Sequence, residues 1–230
     1  MPTSPSSELG PAREIDLALL IADLSGYTAL TETHGALQAS ETVLRFGRLV
    51  ESCLESGVVI VDSIGDDVFC AGADTLAVVR TALRLSDAVR REPEFPRIRT
   101  GIHCGPIVER EARLFGAPIN LTARLAAHAS GGQILCTEPI ASAVHVFADI
   151  EPRPIGEQRF KNVAHPVPVF ELVRVSERRA ATAVDPVCRM QVTIDRAAAT
   201  IVQGEVTFRF CSLKCAGDFA KAPEIYDGAG

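Results

Sequence analysis

Two aspartates carry the first candidate chemistry in the sequence. Asp23 follows a nearly continuous apolar run, Glu14–Ala22, which predicts a strand buried on both faces. Asp66 lies in a tight turn between two short apolar runs, which predicts a β-hairpin with carboxylates at its tip. If these strands pair side by side, both carboxylates face one cleft and offer the oxygen ligands that Mg²⁺ prefers. Two surface aspartates in turns would explain the same spacing without a metal.

A phosphate-binding turn and a polar helix face would complement these carboxylates. The turn leads from the first strand toward a helix and offers backbone amides to a phosphate. It consists of Ser25, Gly26, Tyr27 and Thr28. Asn120 and Arg124 are four residues apart on a predicted helix, so they share one face. Asn can hold a sugar oxygen and Arg a phosphoryl oxygen as charge develops, although a solvated helix face would also carry this pair.

Three cysteines near the C-terminus suggest a second chemistry. Cys211 and Cys215 straddle a strand end and the first turn of a predicted helix, where the helix dipole stabilises thiolates. Cys188 follows a predicted turn, and if that turn folds back, the three thiolates converge. Three sulfurs with an oxygen or water suit Zn²⁺, and soft ligands also suit Cu⁺. Three buried thiols in a small core are the alternative.

Other candidate ligands have plainer interpretations. His34, His103 and His128 are isolated in the sequence and have no ligand spacing, so we expect core or surface roles for them. Asp67, beside Asp66, is interpreted as a solvated turn residue or a spare carboxylate near the metal. The remaining cysteines lie in apolar surroundings and are interpreted as small core residues: Cys53, Cys70, Cys104 and Cys136.

Hydrophobic periodicity predicts the elements that position these residues. The predicted strands cover 14–22, 58–61, 68–71, 99–104, 133–137, 158–160 and 167–173, with a hairpin over 107–114. The predicted helices cover 37–55, 74–91 and 118–129. The order β-α-β-β-α-β, followed by additions, predicts a ferredoxin-like α+β fold.

The chain divides into two predicted modules. We expect a flexible N-terminus at 1–13, a first module at 14–174, a charged linker at 175–183 and a tail module at 184–230. The tail is predicted to contain strands at 191–194 and 205–210 and a helix at 213–221. Fewer than about 50 residues form a marginal core, which usually needs a metal or another staple.

Composition excludes several classes of protein. The chain has 230 residues, 47% of them hydrophobic, and a net charge of -6, so disorder throughout is excluded. The absence of a basic run and of Trp argues against a nucleic-acid partner. No apolar run reaches the length of a membrane span, and the N-terminal residues lack a signal peptide. With seven cysteines, an odd number, we expect a reduced, cytoplasmic protein. Because no apolar run is long enough to span a membrane, we expect no membrane partner.

The first module resembles the class III adenylate and guanylate cyclases over about Ile15–Val173. The motifs that carry the resemblance occur in order: LIADLSGYTAL (20–30), IGD (64–66), GIHCGP (101–106), FGAPINLTARL (115–125), GGQIL (131–135) and FKNV (160–163). The resemblance implies a phosphorus–oxygen lyase that converts a nucleoside triphosphate, ATP or GTP, to a 3′,5′-cyclic nucleotide and pyrophosphate. It also implies two Mg²⁺ or Mn²⁺ ions per active site and a homodimer with sites between the subunits.

The resemblance further implies a role for each matching residue. Asp23 and Asp66 correspond to the two metal-binding aspartates. Asn120 corresponds to the residue that orients the ribose, and Arg124 to the one that stabilises the transition state. Lys161 falls where the family carries a phosphate-binding lysine.

Two positions depart from the family pattern and leave the base open. Adenylate cyclases carry Lys where this chain has Asp62, and Asp or Thr where it has Arg113. Asp62 could accept hydrogen bonds from guanine N1–H and N2 while Arg113 donates to O6. The same pair could instead read adenine with the roles exchanged, or cytosine. A salt bridge between Asp62 and Arg113 would leave poor selectivity or no activity.

The tail resembles the YHS domain, a small module often attached to metal-handling proteins and oxygenases. The resemblance rests on DPVCRMQV (185–192), FRFCSLKC (208–215) and FAKAPEIY (219–226). It keeps the cysteine set intact, while Arg189 stands where Gly is usual. This resemblance supports binding of Zn²⁺ or Cu⁺ by Cys188, Cys211 and Cys215.

The sequence therefore supports three hypotheses. The first is a homodimeric nucleotide cyclase regulated by metal binding to the tail. The second is a catalytically weak or inactive nucleotide-binding sensor that uses the cyclase fold to dimerise, which the departures at Asp62 and Arg113 favour. The third is a metal-binding protein in which the first module serves only as a dimeriser.

Overall fold

The computed structural model describes residues 10–175, 182–204 and 206–226. Most of the predicted flexible N-terminus, residues 1–9, and most of the predicted linker, residues 176–181, lie outside this part of the chain. Within the described ranges, no helix is both long enough and apolar enough to cross a membrane.

The first module consists of eight strands and four α-helices. The strands are β1 Arg13–Leu24, β2 Val58–Ile64, β3 Asp67–Gly72, β4 Ile98–Arg110, β5 Arg113–Phe115, β6 Ile134–Thr137, β7 Ile150–Gln158 and β8 Val167–Arg174. The helices are α1 Tyr27–Cys53, α2 Thr75–Arg91, α3 Ala117–His128 and α4 Glu138–Ala143. The strands form one sheet in the order β2-β3-β1-β4-β6-β8-β7, and β5 pairs with β4.

The ferredoxin-like prediction is confirmed. Strands β2, β3, β1 and β4 are neighbours in that order, and every adjacent pair is antiparallel. β1 is buried on both faces, because Leu20 belongs to the main core with α1 and α2, whereas Leu19 packs on the opposite face near Ile119 of α3. The side chain of Asp74 caps α2 by accepting a hydrogen bond from the amide of Leu76.

Two predicted elements have different boundaries. α1 begins at Tyr27 rather than at residue 37. A break at Gly35, where φ is 85° and ψ is 164°, divides it into two helical segments, and the prediction covered only the second. The strand predicted at 158–160 is instead the end of β7, which begins at Ile150. Pro152 and Pro154 lie inside this strand, and they are tolerated because β7 is an edge of the sheet.

In its described residues, 182–204 and 206–226, the tail module contains four short strands and one α-helix. They are β9 Thr182–Val184, β10 Gln191–Thr193, β11 Ala199–Gln203, β12 Val206–Phe210 and α5 Leu213–Lys221. β9 pairs with β10 and β11 with β12. The predicted linker therefore stops short of Thr182, where β9 begins, and β11 is an element that the sequence pattern did not indicate.

The tail packs directly on the first module. Leu30 of α1 is fully buried in the core of the tail, with Phe210 and Phe219 as neighbours in the cluster. Polar contacts surround this core: the amide of Gln191 donates to the carbonyl of Phe95 at 3.0 Å. The Nζ of Lys214 donates to a carbonyl of α1, that of Thr33, at 2.9 Å. The small tail core is thus completed by a side chain from the larger module.

Candidate functional site

A carboxylate cleft lies where β1 ends beside the β2–β3 hairpin. Asp23 pairs in register with Asp67, the first residue of β3. Asp66 sits in the turn that precedes it. The cleft has a volume of about 340 Å³, and its lining residues are Ile21, Asp23, Asp62, Ile64, Asp67, Val68, Phe69, Ala123, Ala126 and Ala127. Asp67, interpreted above as a solvated turn residue or a spare carboxylate near the metal, therefore lies directly opposite Asp23.

The charges around this cleft repel one another. Burial raises the pKa of Asp66 above its ordinary value, and the charges on Asp67 and Asp23 raise it further. Burial also raises the pKa of Asp67, with the charge of Asp23 again contributing. The charges of Asp23, Asp66 and Asp67 act on one another, and a hard divalent cation, which takes oxygen ligands, would relieve this repulsion. The donor set thus fits Mg²⁺ or Mn²⁺.

Arg99 of β4 is a member of this site that sequence reasoning missed. Its Nε donates to Oδ1 of Asp23 at 2.9 Å and its Nη2 donates to Oδ2 at 2.5 Å. Asp23 and Arg99 are register partners on β1 and β4, so the sheet itself sets this bidentate pair. Because Arg99 occupies both oxygens of Asp23, a cation at Asp23 has to share the carboxylate with this guanidinium.

The predicted phosphate-binding turn is formed and is covered by the tail. Gly26 has a φ of 84° and precedes α1, and the amide of Ser25 donates to the carbonyl of Arg97 at 2.7 Å. A Cβ atom added at Gly26 would lie 2.4 Å from the Cβ of Arg189. Arg189 itself has a φ of 65°, a left-handed backbone conformation that favours glycine. Arg189 from the tail is therefore in contact with the turn.

α3 carries Asn120 and Arg124 close to the sheet. A Cβ atom at Gly101 of β4 would lie 2.4 Å from the carbonyl oxygen of Thr122 and 2.5 Å from the amide of Ala126, so only glycine permits this approach. Asn120 is exposed and Arg124 half-buried, and neither lines the carboxylate cleft of the same chain. This arrangement is compatible with the expectation that both serve a site in a second subunit.

The remaining predicted substrate residues are exposed. Asp62 accepts a hydrogen bond from the amide of Ser63 at 2.8 Å, whereas Arg113 lies over the ring of Phe115. Among the described residues of one chain, no ion pair joins Asp62 to Arg113. Lys161 lies in the turn after β7 and is exposed.

A second cavity, of about 560 Å³, lies between α2, β8 and the start of the tail. Its lining includes Asp87, Arg97, Glu171 and Gln191. None of the residues predicted for chemistry lines it, so the carboxylate cleft remains the candidate active site.

The tail cysteines converge, and a histidine from the first module joins them. Sγ of Cys188 is 3.4 Å from Sγ of Cys211, which is 3.7 Å from Sγ of Cys215. Nε2 of His34, on α1, lies 3.9 Å from Sγ of Cys211 and 3.8 Å from Sγ of Cys215. Describing His34 as isolated is therefore wrong. Its sequence position gave no signal, because the other three groups lie in a different module.

A buried carboxylate organises this cluster. Asp185 is fully buried, and its Oδ1 accepts hydrogen bonds from the amides of Val187 at 2.9 Å and Cys188 at 3.4 Å. Its Oδ2 accepts from the amide of Cys211 at 2.7 Å, so one side chain joins the two cysteine-bearing segments. Hydrogen bonds from the thiols of Cys188 and Cys211 lower the pKa of Cys215.

The other thiols and imidazoles have the core and surface roles expected of them. Burial raises the pKa of Cys70 and of Cys136 to about 12, so both remain protonated thiols. Burial lowers the pKa of His103, whose Nδ1 lies 2.8 Å from the hydroxyl of Thr137. His128 packs edge-on against Phe160.

Comparison with known proteins agrees with this geometry. The adenylyl cyclase CyaB from P. aeruginosa superimposes with a TM-score of 0.64 at 20% identity, covering 73% of this chain and 98% of that one. An adenylate/guanylate cyclase/hydrolase from Silicibacter pomeroyi gives 0.59 at 26% identity, covering 71% and 99%. The first module has the cyclase fold.

The sequence relatives of this cyclase-fold module are longer proteins. A pH-sensitive adenylate cyclase from Mycobacterium tuberculosis is 30% identical over 133 residues, which are 58% of this chain and 33% of that protein. The chain spans about a third of the length of the curated relatives it matches. No family model matches the chain, so the YHS resemblance of the tail stays a prediction.

Proposed function

We propose that this protein is a nucleotide cyclase. The ribose 3′-oxygen of a nucleoside triphosphate attacks the α-phosphorus and loses its proton, and pyrophosphate leaves with the electrons of the broken phosphorus–oxygen bond. The observation that carries the proposal is the carboxylate cleft, in which Asp23 and the β2–β3 hairpin converge beside α3. The cyclase fold and the adenylate cyclase relatives support it.

The carboxylates are proposed to hold the metal ions. Asp23 and Asp66 are the proposed ligands, and Asp67 supplies further negative charge from the opposite side of the cleft. Bound Mg²⁺ or Mn²⁺ would lower the pKa of the ribose hydroxyl and neutralise the triphosphate. The raised pKa values of Asp66 and Asp67 support this assignment, because repulsion without a cation keeps the site poised to bind one.

A second subunit is proposed to complete each site. Asn120 and Arg124 stand on α3 outside the cleft of their own chain, where a homodimer could present them to the partner's carboxylates. There Asn120 orients the ribose, and Arg124 stabilises the charge that develops on the α-phosphate. Phe115 and Ile64 are 48% and 71% exposed, and such apolar surface is expected at a dimer interface.

The remaining proposed contacts are to phosphates and base. The backbone amides at the start of α1 and the charge of Lys161 are proposed to bind the triphosphate. Asp62 and Arg113 are proposed to read the base, since they do not neutralise each other within one chain. ATP and GTP are the two substrates that we consider. We also propose that the chain acts in the cytoplasm and that metal binding by the tail regulates the site.

One observation favours a second candidate function, a nucleotide-binding sensor with weak or no activity. Arg99 holds both oxygens of Asp23, and the Asp23 side chain is only 13% exposed. If that pair persists with substrate bound, Asp23 cannot serve as a full metal ligand. The chain would then bind nucleotide without turning it over.

A product assay separates the two functions. Purified protein is incubated with Mg²⁺ or Mn²⁺ and each of ATP, GTP, CTP and UTP, and cyclic monophosphates are identified by mass spectrometry. We expect one product, which Asp23→Ala abolishes, and its base shows what Asp62 and Arg113 read. A folded protein that binds nucleotide but forms no product with any triphosphate would favour the sensor.

A further inference from the structure

The strongest unassigned feature of the molecule is the cluster of His34, Cys188, Cys211 and Cys215. One ligand atom from each residue lies within 4.8 Å of all the others. Cys188 and Cys215 are fully buried, while His34 and Cys211 are half-buried. The four groups are thus gathered in a largely enclosed place at the junction of the two modules.

We propose that these four side chains bind one Zn²⁺ ion between the modules and that His34 is its fourth ligand. Zn²⁺ lies about 2.3 Å from sulfur and about 2.0–2.1 Å from imidazole nitrogen, so a tetrahedral site has S···S edges of about 3.8 Å and S···N edges of about 3.6 Å. The S···S distances to Cys211 are 3.4 and 3.7 Å, and the S···N distances to His34 are 3.8 and 3.9 Å. Four of the six edges are thus within about 0.4 Å of the values expected for a coordination tetrahedron, and the two remaining edges, from Cys188 to Cys215 and to His34, are no longer than 4.8 Å.

The donor set selects this metal and coordination number. Three thiolates and one neutral imidazole form the Cys₃His set of closed structural zinc sites, whereas Cu⁺ favours fewer and purely soft ligands. The N-terminus of α5, which carries Cys215, favours thiolate charge. Asp185 holds the segments of Cys188 and Cys211 together through their amides, so these two ligands are positioned before metal arrives.

The site exists only when the tail is docked, because His34 belongs to α1. The neighbouring carbonyl of Thr33 accepts a hydrogen bond from Lys214, which lies in the first turn of α5. On the other side of the cluster, Arg189 follows Cys188 directly and contacts Gly26. A bound ion therefore fixes the tail against the start of α1.

This docking has a consequence that rests on the proposed cyclase function. Gly26 belongs to the turn proposed to bind the triphosphate, so the ion holds Arg189 of the tail on the phosphate-binding turn. Zinc occupancy then controls the conformation of that turn and the position of a positive charge beside it. Zinc would thus regulate the phosphate-binding turn through the direct contact between Arg189 and Gly26.

The metal site is tested without any nucleotide. The full-length protein is reduced, stripped with a chelator, and titrated anaerobically with Co²⁺ as a spectroscopic probe and then with Zn²⁺. We expect one ion per chain, thiolate-to-Co²⁺ charge-transfer absorption and the visible bands of tetrahedral Co²⁺. His34→Ala should alter the visible bands and weaken Zn²⁺ binding by at least the roughly 10–100-fold typical of losing a supporting residue. The matched control His165→Ala, which changes an exposed histidine, should behave as wild type.

Each other outcome overturns the proposal. Unchanged spectra and affinity in His34→Ala would confine any metal site to the tail. If folded wild-type protein binds neither Co²⁺ nor Zn²⁺, the cluster is not a metal site. A Cys188–Cys211 disulfide in protein kept anaerobic would show that these two cysteines form a redox pair and do not bind a metal. Hydrogen exchange at residues 25–28 completes the test, because Zn²⁺ should slow it in wild type and not in His34→Ala. These readouts use no substrate, so failure of the metal site and failure of the cyclase function remain distinguishable.

Discussion

In the carboxylate cleft, burial and repulsion between like charges act on single aspartates. The charges of Asp23, Asp66 and Asp67 act on one another, and among the described residues only Asp23 of these three has a bidentate cationic partner, Arg99. Burial and like charge raise the pKa of the other two. A functional site of this kind lowers the stability of the protein until its cation binds.

Replacing Asp66 should therefore stabilise the metal-free protein. The pKa of Asp66 is higher in the folded protein than its ordinary value of 3.8, so the folded state favours the protonated carboxyl. The resulting contribution to the free energy of unfolding is complete below pH 3.8 and is lost as the pH rises through the folded pKa. At pH 7 the ionised group is unfavourable, and Asp66→Asn should raise the free energy of unfolding by a few tenths of a kcal/mol, up to about 0.5. Urea denaturation without divalent ions measures this change.

A matched control and Mg²⁺ sharpen this test. Asp195→Asn replaces an exposed aspartate of the tail and should leave stability at pH 7 unchanged. Added Mg²⁺ should stabilise wild type more than Asp66→Asn, since binding to the folded state adds its own free energy. A less stable Asp66→Asn protein would show that the carboxylate is held by favourable contacts and that this electrostatic account is wrong.

At the scale of elements, the close contact between β4 and α3 sets the position of the proposed catalytic helix. Gly101 is the residue that allows it, because the backbone of Thr122 and Ala126 occupies the space of a side chain. No flexible side chain can yield at this contact. The helix as a whole has to move if the glycine is replaced.

Gly101→Ala should destabilise the protein by about 1–3 kcal/mol, as overpacking of a well-packed core does. It should also lower activity, because α3 carries Asn120 and Arg124. The control is Gly47→Ala on α1, where no atom lies within 4 Å of the new Cβ, and which should stabilise by up to about 1 kcal/mol through helix propensity. Thermal unfolding of both variants checks the pair, and equal effects would show that the contact tolerates a methyl group.

The elements also show what the sequence could predict. The buried strand β1 and the hairpin with Asp66 follow local periodicity and turn chemistry, so their order was enough for the ferredoxin-like fold. Most of β7 was missed because its prolines contradict strand propensity, and its edge position is what makes them harmless. Arg99 and His34 were missed for another reason. Their roles depend on pairing across the sheet and between modules, which a single sequence does not display.

On the scale of the whole molecule, the two modules share one interface. Leu30 of α1 is fully buried among residues of the tail, and the cysteine cluster takes His34 from the same helix. The hydrophobic core of the tail is therefore incomplete without Leu30 of the first module. Docking is expected to be required for both the stability of the tail and its metal site.

Leu30→Ala should reveal this dependence. Removing a fully buried leucine costs about 2–5 kcal/mol, and here the loss falls on the contact between modules. Leu37→Ala on the same helix is the control, because Leu37 is 77% exposed and should change stability by less than about 0.5 kcal/mol. Limited proteolysis should cleave the tail faster in Leu30→Ala alone, and equal rates in both variants would show that the tail is stable undocked.

The central claim is that two copies of the chain build one cyclase site, and complementation tests it most directly. Asp66→Asn removes a proposed metal ligand and Arg124→Ala the proposed transition-state residue, and each homodimer should be inactive. After subunit exchange between equal amounts, half of the dimers are mixed and each has one intact site, so about a quarter of wild-type activity should return. A mixture no more active than its components, from folded variants of an active wild type, would contradict a site shared between subunits.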